Sequence, residues 1–226
     1  RYTDDGLFDP IGSIVHESGH ALYEMCATAN PLIRGTSLAQ GCSMGLHESQ
    51  SRFWENIMGR SLPFWEFQYP RLQKAVPSLK EISLESFMKA INKSKPSAIR
   101  VNADELTYNL HIILRYRLEK ELVNGDLKVS DVPARWNEMS KSLIRYEVKS
   151  DREGALQDVH WSQGSIGYFP TYSIGNIYSA AFYKKMCADL GGKEKVDQML
   201  RSGDYSQITS WQGKNIWSKG MMVSPS

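Results

Sequence analysis

Residues 11–25 read IGSIVHESGHALYEM. Apolar positions recur in this stretch with helical spacing, which predicts a helix over about residues 11–27. His16 and His20 are four positions apart and so share one face of that helix, where both ring nitrogens can bind one metal ion. Glu17 lies at the edge of this face, where a general base could take a proton from metal-bound water. The pattern indicates a metal-dependent hydrolase.

A catalytic zinc ion usually takes three protein ligands and keeps a fourth position for water. Glu48 is the preferred third ligand, because it lies downstream on a second stretch with helical apolar spacing that runs to about Gly59. His47 is the alternative ligand, and is otherwise expected to be a structural or hydrogen-bonding neighbour of the metal site. A site with two His and one Glu suits Zn²⁺ and also accepts Co²⁺ or Mn²⁺.

Four blocks of the sequence carry a resemblance to a known family. They are HESGHALY at 16–23, HESQSR at 47–52 with WEN at 54–56, IRVNADELTYNLH at 99–111, and GALQDVHW at 154–161 followed by GYFPTY at 167–172. In the order and spacing of these blocks the chain resembles the carboxypeptidase Taq family of zinc-type metallocarboxypeptidases. This resemblance implies that peptides with a free C-terminus are the substrates and that single C-terminal amino acids are released.

The resemblance also implies the fold, which is mainly α and gluzincin-like, of the neurolysin and ACE type. Glycines and β-compatible runs between Asn30 and Gly45 add the expectation of a small β-hairpin or sheet near the metal site, with an irregular loop as the alternative. Asn102 and Glu105 have the spacing of a capping pair before a long helix that ends at Asn124. Further helices are expected over about residues 84–92, 130–143 and 173–190.

Family members carry an HPF motif and a DxRxT motif upstream of the metal-binding helix. Arg1 and Tyr2 resemble the residues directly after the second motif, and residues 211–220 resemble a stretch that the family continues into a last segment. We therefore expect residues 1–226 to be the catalytic, metal-binding C-terminal portion of a larger helical protein. The N-terminal half and the extreme C-terminal segment are expected to be absent. Homodimers are common in the family, so a homodimer is expected of the full-length protein.

Arg100 lies in the block that matches the I/V-R-x-x-A-D motif of the family. The resemblance implies that Arg100 binds the terminal carboxylate of the substrate, which a guanidinium can hold with two parallel hydrogen bonds. The alternative is a structural ion pair of Arg100 with Asp104 or Glu105. Asp104 is also considered as a hydrogen-bond partner for the imidazole of a zinc ligand.

The block from Gly154 to Tyr172 is rich in glycine and aromatic residues, as is typical of a loop that lines a cleft. By analogy with related gluzincins, His160 and Tyr172 are expected to donate hydrogen bonds to the oxyanion, with Tyr168 as the nearest competitor. A packed core histidine is the alternative for His160. Substrate binding is the expected role of Gln157, Asp158 and Tyr168.

The composition of the chain argues against nucleic acid and membranes as partners. The chain has 27 basic and 25 acidic residues without long runs of one sign, so neither nucleic acid nor a charged membrane surface is an expected partner. No apolar run approaches the length needed to span a bilayer. Cys26, Cys42 and Cys187 are odd in number and widely spaced, which favours reduced thiols in a cytoplasmic protein.

Two other functions remain open at this stage. A metallopeptidase of different specificity, either an endopeptidase or an aminopeptidase, would use the same metal chemistry. A non-catalytic metal-binding fragment would retain the metal ligands and lack one wall of the cleft. The isolated chain is therefore expected to be inactive and the longer parent protein active, because a cleft that lacks one half cannot exclude water.

Overall fold

The described part of the chain consists of helices and turns. A computed structural model describes residues 8–224, and none of these residues forms a β-strand. The expected mainly α class is therefore confirmed. The chain divides into residues 8–92 with 174–224, which we call the first unit, and residues 93–173, which we call the second unit. Arg1 and Tyr2, with their resemblance to the residues after the DxRxT motif, lie outside the described residues.

The helices follow one another with short connections. In chain order they are α1 (Phe8–Ala29), α2 (Met44–Arg52), α3 (Leu62–Ala75), α4 (Leu84–Ile91), α5 (Tyr108–Asn124), α6 (Val132–Met139), α7 (Pro170–Asp189), α8 (Lys193–Ser202) and α9 (Ser206–Asn215). The π-helices Phe53–Met58 and Ser140–Ile144 directly continue α2 and α6. The helices predicted from sequence are confirmed with shifted ends, whereas α3, α8 and α9 were not predicted.

The expected β-hairpin beside the metal site is wrong. Residues 30–43 instead form turns whose N–H groups bond three or four residues back, from Arg34 to Asn30 at 2.9 Å and from Thr36 to Ile33 at 3.0 Å. Asn30 Oδ1 and Thr36 Oγ1 each accept a further hydrogen bond from a backbone N–H two residues on. These side chains accept hydrogen bonds from nearby backbone N–H groups, which then need no partner on a neighbouring strand. The sequence therefore favours turns over strand pairing.

The first unit has a core of large apolar side chains from α1, α7, α8, α9 and the π-helix after α2. Its fully buried members include Tyr23, Phe53, Met58, Met186, Val196 and Ile208. A second cluster, on α3 and α4, contains Phe64, Trp65, Tyr69, Phe87 and Ile91. Burial of such a side chain contributes about 1.5–3 kcal/mol. The core therefore fixes α1 against the residues that follow α2.

The core of the second unit lies around α5. Leu114 and Leu118 pack there with residues of α6. Leu106 is 79% exposed and precedes the helix. The buried face of α5 also includes three polar side chains, His111, Arg115 and Glu119. Buried polar side chains need hydrogen-bond partners, and Arg115 finds them in Asp158 and Gln157.

The predicted capping pair of Asn102 and Glu105 is wrong. Asn102 ends a short 3₁₀ turn that starts at Arg100. The side chain of Asp104 caps the following turn instead, because its Oδ1 accepts hydrogen bonds from the N–H groups of Leu106 and Thr107, both at 3.0 Å. Helix α5 then begins at Tyr108.

Cys26, Cys42 and Cys187 are not paired with one another, and Cys42 and Cys187 are buried. Within residues 8–224 no helix combines the length and the apolar character that a membrane crossing demands.

Candidate metal centre and arginine cluster

His16, His20 and Glu48 converge in the first unit. Glu48 Oε2 lies 3.7 Å from His16 Nε2 and 3.6 Å from His20 Nε2. The three side chains offer one ligand atom each, all within 4.8 Å of one another. Two ligand atoms about 2.1 Å from a tetrahedral zinc ion are separated by about 3.4 Å. The donor set and its spacing therefore fit a divalent ion such as zinc.

Two glycines allow Glu48 to reach this position. A Cβ atom on Gly19 would lie 2.5 Å from the carbonyl oxygen of Gln50, so only glycine lets α1 approach α2 this closely. On the other side, a Cβ atom on Gly175 in α7 would lie 2.9 Å from Cγ of Glu48. The Glu48 side chain is consequently packed between two helices and is nearly inaccessible to solvent.

Arg52 orients the Glu48 carboxylate from one turn further along the chain. Its Nε donates to Glu48 Oε1 at 3.1 Å, and Oε2 is the oxygen that lies near the two histidines. Burial opposes ionisation of Glu48, but the nearby rings of His20 and His16 and the charge of Arg52 outweigh it and lower its pKa. Glu48 is therefore held as a carboxylate, the form that binds a metal ion.

Glu55 holds the other nitrogen of His16. The Nδ1–H of His16 donates to Glu55 Oε2 at 2.8 Å, and Arg52 Nη1 donates to the same oxygen at 3.3 Å. Burial alone would lower the pKa of His16, but the hydrogen bond to Glu55 and the charges of Glu48 and Glu55 raise it overall. This bond leaves Nε2 as the ligand atom, since one nitrogen of the ring carries the proton.

His47 lies beside His20 and not at a ligand position. Its Nδ1 is 2.5 Å from Nδ1 of His20, and its Nε2 is 2.7 Å from Glu24 Oε1. Both nitrogens of His47 are therefore used in hydrogen bonds. The preference for Glu48 over His47 as the third member of the cluster agrees with this arrangement. Glu17, by contrast, is exposed on α1 directly after His16.

The second unit contains a buried cluster of two arginines and one carboxylate. Arg100 donates to Asp158 Oδ1 through Nε at 3.0 Å and Nη2 at 2.8 Å, and to the Tyr108 hydroxyl through Nη1 at 3.0 Å. Arg115 donates to Asp158 Oδ2 at 2.6 Å and to Gln157 Oε1 at 2.8 Å. The partner of Arg100 is thus Asp158, and the alternative pairing with Asp104 or Glu105 is not observed.

The charges of this cluster do not balance. Burial opposes ionisation of Asp158, but Arg115 and Arg100 outweigh it and lower the pKa of the carboxyl group. Burial, helped by the charge of Arg100, lowers the pKa of Arg115 to about 10, so Arg115 stays charged at neutral pH. Two cations thus share one anion. The surplus positive charge suits an incoming carboxylate.

His160, Tyr168 and Tyr172 group next to this cluster within the second unit. His160 Nε2 lies 2.9 Å from the Tyr172 hydroxyl, and the His160 ring also contacts Tyr168, with the ring centres 5.2 Å apart. Burial and the charges of Arg100 and Arg115 lower the pKa of His160, against the opposing effect of Asp158. The His160 ring is therefore neutral at pH 7.

Comparison with known proteins now decides the family. The model of the family described as "Carboxypeptidase Taq (M32) metallopeptidase" matches residues 1–226. The chain belongs to the M32 family of metallopeptidases. It is 42% identical to carboxypeptidase 1 of Bacillus subtilis, over 100% of this chain and 44% of that protein. It is also 42% identical to thermostable carboxypeptidase 1 of Thermus thermophilus, over 100% of this chain and 43% of that protein.

Solved carboxypeptidase structures share the fold. The M32 carboxypeptidase of Deinococcus radiodurans superposes with a TM-score of 0.93 at 39% identity, over 100% of this chain and 45% of that one. Metallocarboxypeptidase 1 of Trypanosoma cruzi superposes with a TM-score of 0.90 at 38% identity, over 99% of this chain and 46% of that one. This M32 chain therefore spans less than half the length of these relatives.

The sequence analysis did not predict several side chains that the structure places in the two clusters of this M32 chain. Glu24 and Arg52 each lie four positions after a predicted ligand, His20 and Glu48, so helical spacing was an available signal. Glu55 lies in the WEN block at 54–56, which is part of the family resemblance, but the sequence analysis assigned no function to Glu55. Arg115 lies between two buried leucines of α5, and an arginine at such a position indicates a buried ion pair.

Asp104 does not have the role beside a zinc ligand that the sequence suggested. Its carboxylate accepts hydrogen bonds from Ser94 Oγ at 2.7 Å and Thr107 Oγ1 at 2.8 Å, besides the backbone of its own turn. These hydrogen bonds outweigh the effect of burial and lower the pKa of Asp104 to about 2. In this M32 chain Glu55 fills the position beside His16 instead.

Proposed function

We propose that this chain carries the groups for metal-dependent hydrolysis of the C-terminal peptide bond, which releases single amino acids from peptides with a free C-terminus. The observation that carries the proposal is the convergence of His16, His20 and Glu48 with spacing that fits one divalent ion. Membership in the M32 family and the carboxypeptidase names of the relatives support the choice of reaction.

His16 Nε2, His20 Nε2 and one oxygen of Glu48 would hold the ion, which we propose to be Zn²⁺, with Co²⁺ and Mn²⁺ accepted by the same donors. When bound, the ion acts as a Lewis acid that activates water and polarises the scissile carbonyl group. Arg52 keeps the Glu48 carboxylate in place, and Glu55 keeps the His16 ring oriented. These contacts support a preformed site, because both side chains are constrained before an ion arrives.

Glu17 is proposed as the general base. It follows His16 directly on α1 and is exposed, so a substrate and a water molecule can approach its carboxylate. Glu17 accepts the proton of the attacking water and then gives it to the amine of the leaving amino acid. The peptide C–N bond breaks as that nitrogen is protonated, and the remaining peptide keeps the new carboxylate.

The second unit is proposed to recognise the substrate. Arg100 binds the terminal carboxylate, supported by the surplus positive charge that it forms with Arg115 and Asp158. His160 and Tyr172, which are hydrogen-bonded to each other, stabilise the developing oxyanion. Gln157, Asp158 and Tyr168 complete the proposed substrate-binding set: Gln157 accepts from the Arg100 N–H at 2.8 Å and Tyr168 contacts the His160 ring.

The wider setting is also proposed. Residues 1–226 would form the metal-binding C-terminal portion of a gluzincin-like enzyme that is a homodimer when full-length. Free thiols at all three cysteines favour a reducing compartment, which supports a cytoplasmic location.

A pair of peptides tests the specificity. An N-blocked peptide with a free C-terminal carboxylate should be cleaved, whereas its C-amidated form should not, since only the former can pair with Arg100. Equal cleavage of both would indicate an endopeptidase, and cleavage only after N-terminal unblocking would indicate an aminopeptidase. Both peptides should be assayed with this chain and with a version extended to the length of its relatives. Metal binding without turnover in both versions would indicate a non-catalytic role.

Glu17→Gln tests the proposed base. In a version extended to the length of the relatives, the substitution keeps the size of the side chain but removes its ability to accept a proton, so turnover should fall by at least about 100-fold while the metal stays bound. Ser18→Ala is the matched control, because Ser18 is exposed on the same turn and, among residues 8–224, its hydroxyl bonds only the Ile14 carbonyl group. Substantial turnover in Glu17→Gln with metal bound would contradict the assigned role.

A further inference from the structure

A chain of hydrogen bonds runs outward from His20 in the first unit. Nδ1 of His20 lies 2.5 Å from Nδ1 of His47, and Nε2 of His47 lies 2.7 Å from Oε1 of Glu24. We infer that His47 and Glu24 are positioning residues, which fix the His20 ring and direct its Nε2 toward the metal. This inference rests on the proposed function, because it takes His20 as a metal ligand.

The positions of the hydrogen atoms follow from the three groups. The Glu24 carboxylate can only accept, so the proton of His47 lies on Nε2 and its Nδ1 is an acceptor. The Nδ1 of His20 must then carry the proton that occupies the 2.5 Å contact. This leaves the lone pair of His20 Nε2 for the metal. One carboxylate thus determines the tautomer of two consecutive rings.

The 2.5 Å contact also excludes a different interpretation. Two ligand atoms of one zinc ion lie about 3.4 Å apart, so these two Nδ1 atoms are too close to share an ion. His47 therefore acts through His20 and not as a ligand itself.

Residues of the following turn and of α1 fix the positions of Glu24 and His47. The Gly41 N–H donates to Glu24 Oε1 at 2.9 Å. A Cβ atom on Gly41 would lie 2.6 Å from Cδ2 of His47 and 2.8 Å from Glu24 Oε1, so the turn approaches this closely because residue 41 has no side chain. The Tyr23 ring contacts His47, and its hydroxyl accepts from the Cys42 N–H at 2.9 Å.

The two histidine ligands are supported in different ways. His16 bonds a carboxylate directly, through Glu55, whereas His20 reaches Glu24 only through the ring of His47. Glu24 lies one turn after His20 on α1, and the inserted ring comes from α2. Helix α2 therefore supplies both Glu48 and the support for His20, so docking of one helix assembles two parts of the site.

The test measures metal affinity by competition with a chelator, and records the visible spectrum of the Co²⁺-loaded chain. His47→Phe keeps a ring but removes both hydrogen bonds, so we expect the affinity to fall about 10- to 100-fold with a changed Co²⁺ spectrum. Glu24→Leu should weaken binding about tenfold. Glu24→Gln should restore most of this loss, because its amide oxygen can still accept from His47 and Gly41.

Thr28→Ala is the structural control. Thr28 is exposed on α1, one turn after Glu24, and its hydroxyl donates to the backbone carbonyl groups of Glu24 and Met25, so the affinity and spectrum of this variant should match the parent chain. The inference is overturned if His47→Phe and Glu24→Leu bind Co²⁺ as tightly as the parent chain. It is also overturned if Thr28→Ala weakens binding as much as they do. If His47→Phe does not fold, the comparison of Glu24→Leu with Glu24→Gln tests the inference, and equal metal affinity in these two variants overturns it.

His16→Ala separates this inference from the proposed function. Loss of metal binding in His16→Ala together with unchanged binding in His47→Phe would reject the positioning role and leave the metal site intact. Unchanged binding in His16→Ala would instead reject the metal site, whatever the His47 variants show.

Discussion

Gly19 of α1 lies against the backbone of Gln50 in α2, so closely that a Cβ atom would be 2.5 Å from the Gln50 carbonyl oxygen. The glycine inside the HESGH motif thus has a steric role beyond the spacing of the two histidines. It permits the helix crossing that brings the Glu48 carboxylate within 3.7 Å of both rings.

Gly19→Ala should therefore separate α1 from α2. We expect a loss of about 1–3 kcal/mol in the free energy of unfolding, which is typical of overpacking, and a clear loss of metal affinity. Thermal unfolding and chelator competition measure the two effects. Gly12→Ala is the matched control, because Gly12 is buried on the same helix and the nearest atom to its Cβ within the described residues would be Cε1 of Phe8 at 3.5 Å. Gly12→Ala should be neutral or stabilising by up to about 1 kcal/mol. Equal metal affinity in the two variants would contradict the steric role of Gly19 in placing Glu48 beside the histidines.

Metal removal should destabilise the chain by mass action. At a zinc concentration 100 times the dissociation constant, binding to the folded state adds about 2.7 kcal/mol, and excess chelator should abolish this gain. Calorimetry with and without zinc measures the shift in the unfolding midpoint. Glu48→Gln should show a much smaller shift, whereas Glu85→Gln, on the exposed surface of α4, should respond as the parent chain does. A full shift in Glu48→Gln would argue against Glu48 as a ligand.

Arg115→Met should be strongly destabilising, because Arg115 is fully buried and its loss leaves the Asp158 carboxylate with a single cation. The expected cost is about 3–5 kcal/mol in the free energy of unfolding. Arg135→Met provides the comparison in the same unit, since Arg135 also pairs with a carboxylate, that of Glu121 at 2.7 Å, but is about a third exposed. The Arg135 change should cost about 0–1 kcal/mol. Similar costs for the two substitutions in denaturant unfolding would refute this difference.

His111 should make the chain sensitive to acid. It is fully buried, neither ring nitrogen has a hydrogen-bond partner within residues 8–224, and burial with the charges of Arg115 and Arg100 lowers its pKa to about 4. The unfolded chain, with a histidine pKa near 6.5, binds this proton more readily. Stability should consequently fall, by up to about 3 kcal/mol, as the pH drops from about 6.5 to about 4.

Two substitutions separate the titration of His111 from its burial. His111→Leu and His111→Gln should both flatten the pH dependence of unfolding, and only His111→Leu should gain stability at pH 8, because it removes the unpaired polar groups. Unfolding should be followed in excess chelator, so that metal release does not contribute. If both variants keep the pH dependence of the parent chain, His111 is not the group whose titration lowers the stability.

Local patterns gave most of the helices and the pair of histidines. Residues four apart share a helix face whatever the rest of the chain does, so His16 and His20 could be assigned from spacing alone. The turns of residues 30–43 were mistaken for a hairpin because glycine and β-compatible residues occur in both structures. The capping pair before α5 was assigned to the wrong residues because several neighbouring polar side chains could each serve. In the structure Asp104 caps the turn that precedes the helix, and its carboxylate also accepts a hydrogen bond from Ser94.

The amino-acid sequence by itself determined the helical class, the family and the three side chains that would hold a metal ion. Only the tertiary structure decided what supports them, namely Glu55 on His16 and the pair His47 and Glu24 on His20. It also decided that Arg115 pairs with Asp158 in the second unit. The physical reason is the range of the interactions. Helical periodicity acts over a few residues, whereas these hydrogen bonds join residues up to 43 positions apart and exist only once the helices have packed.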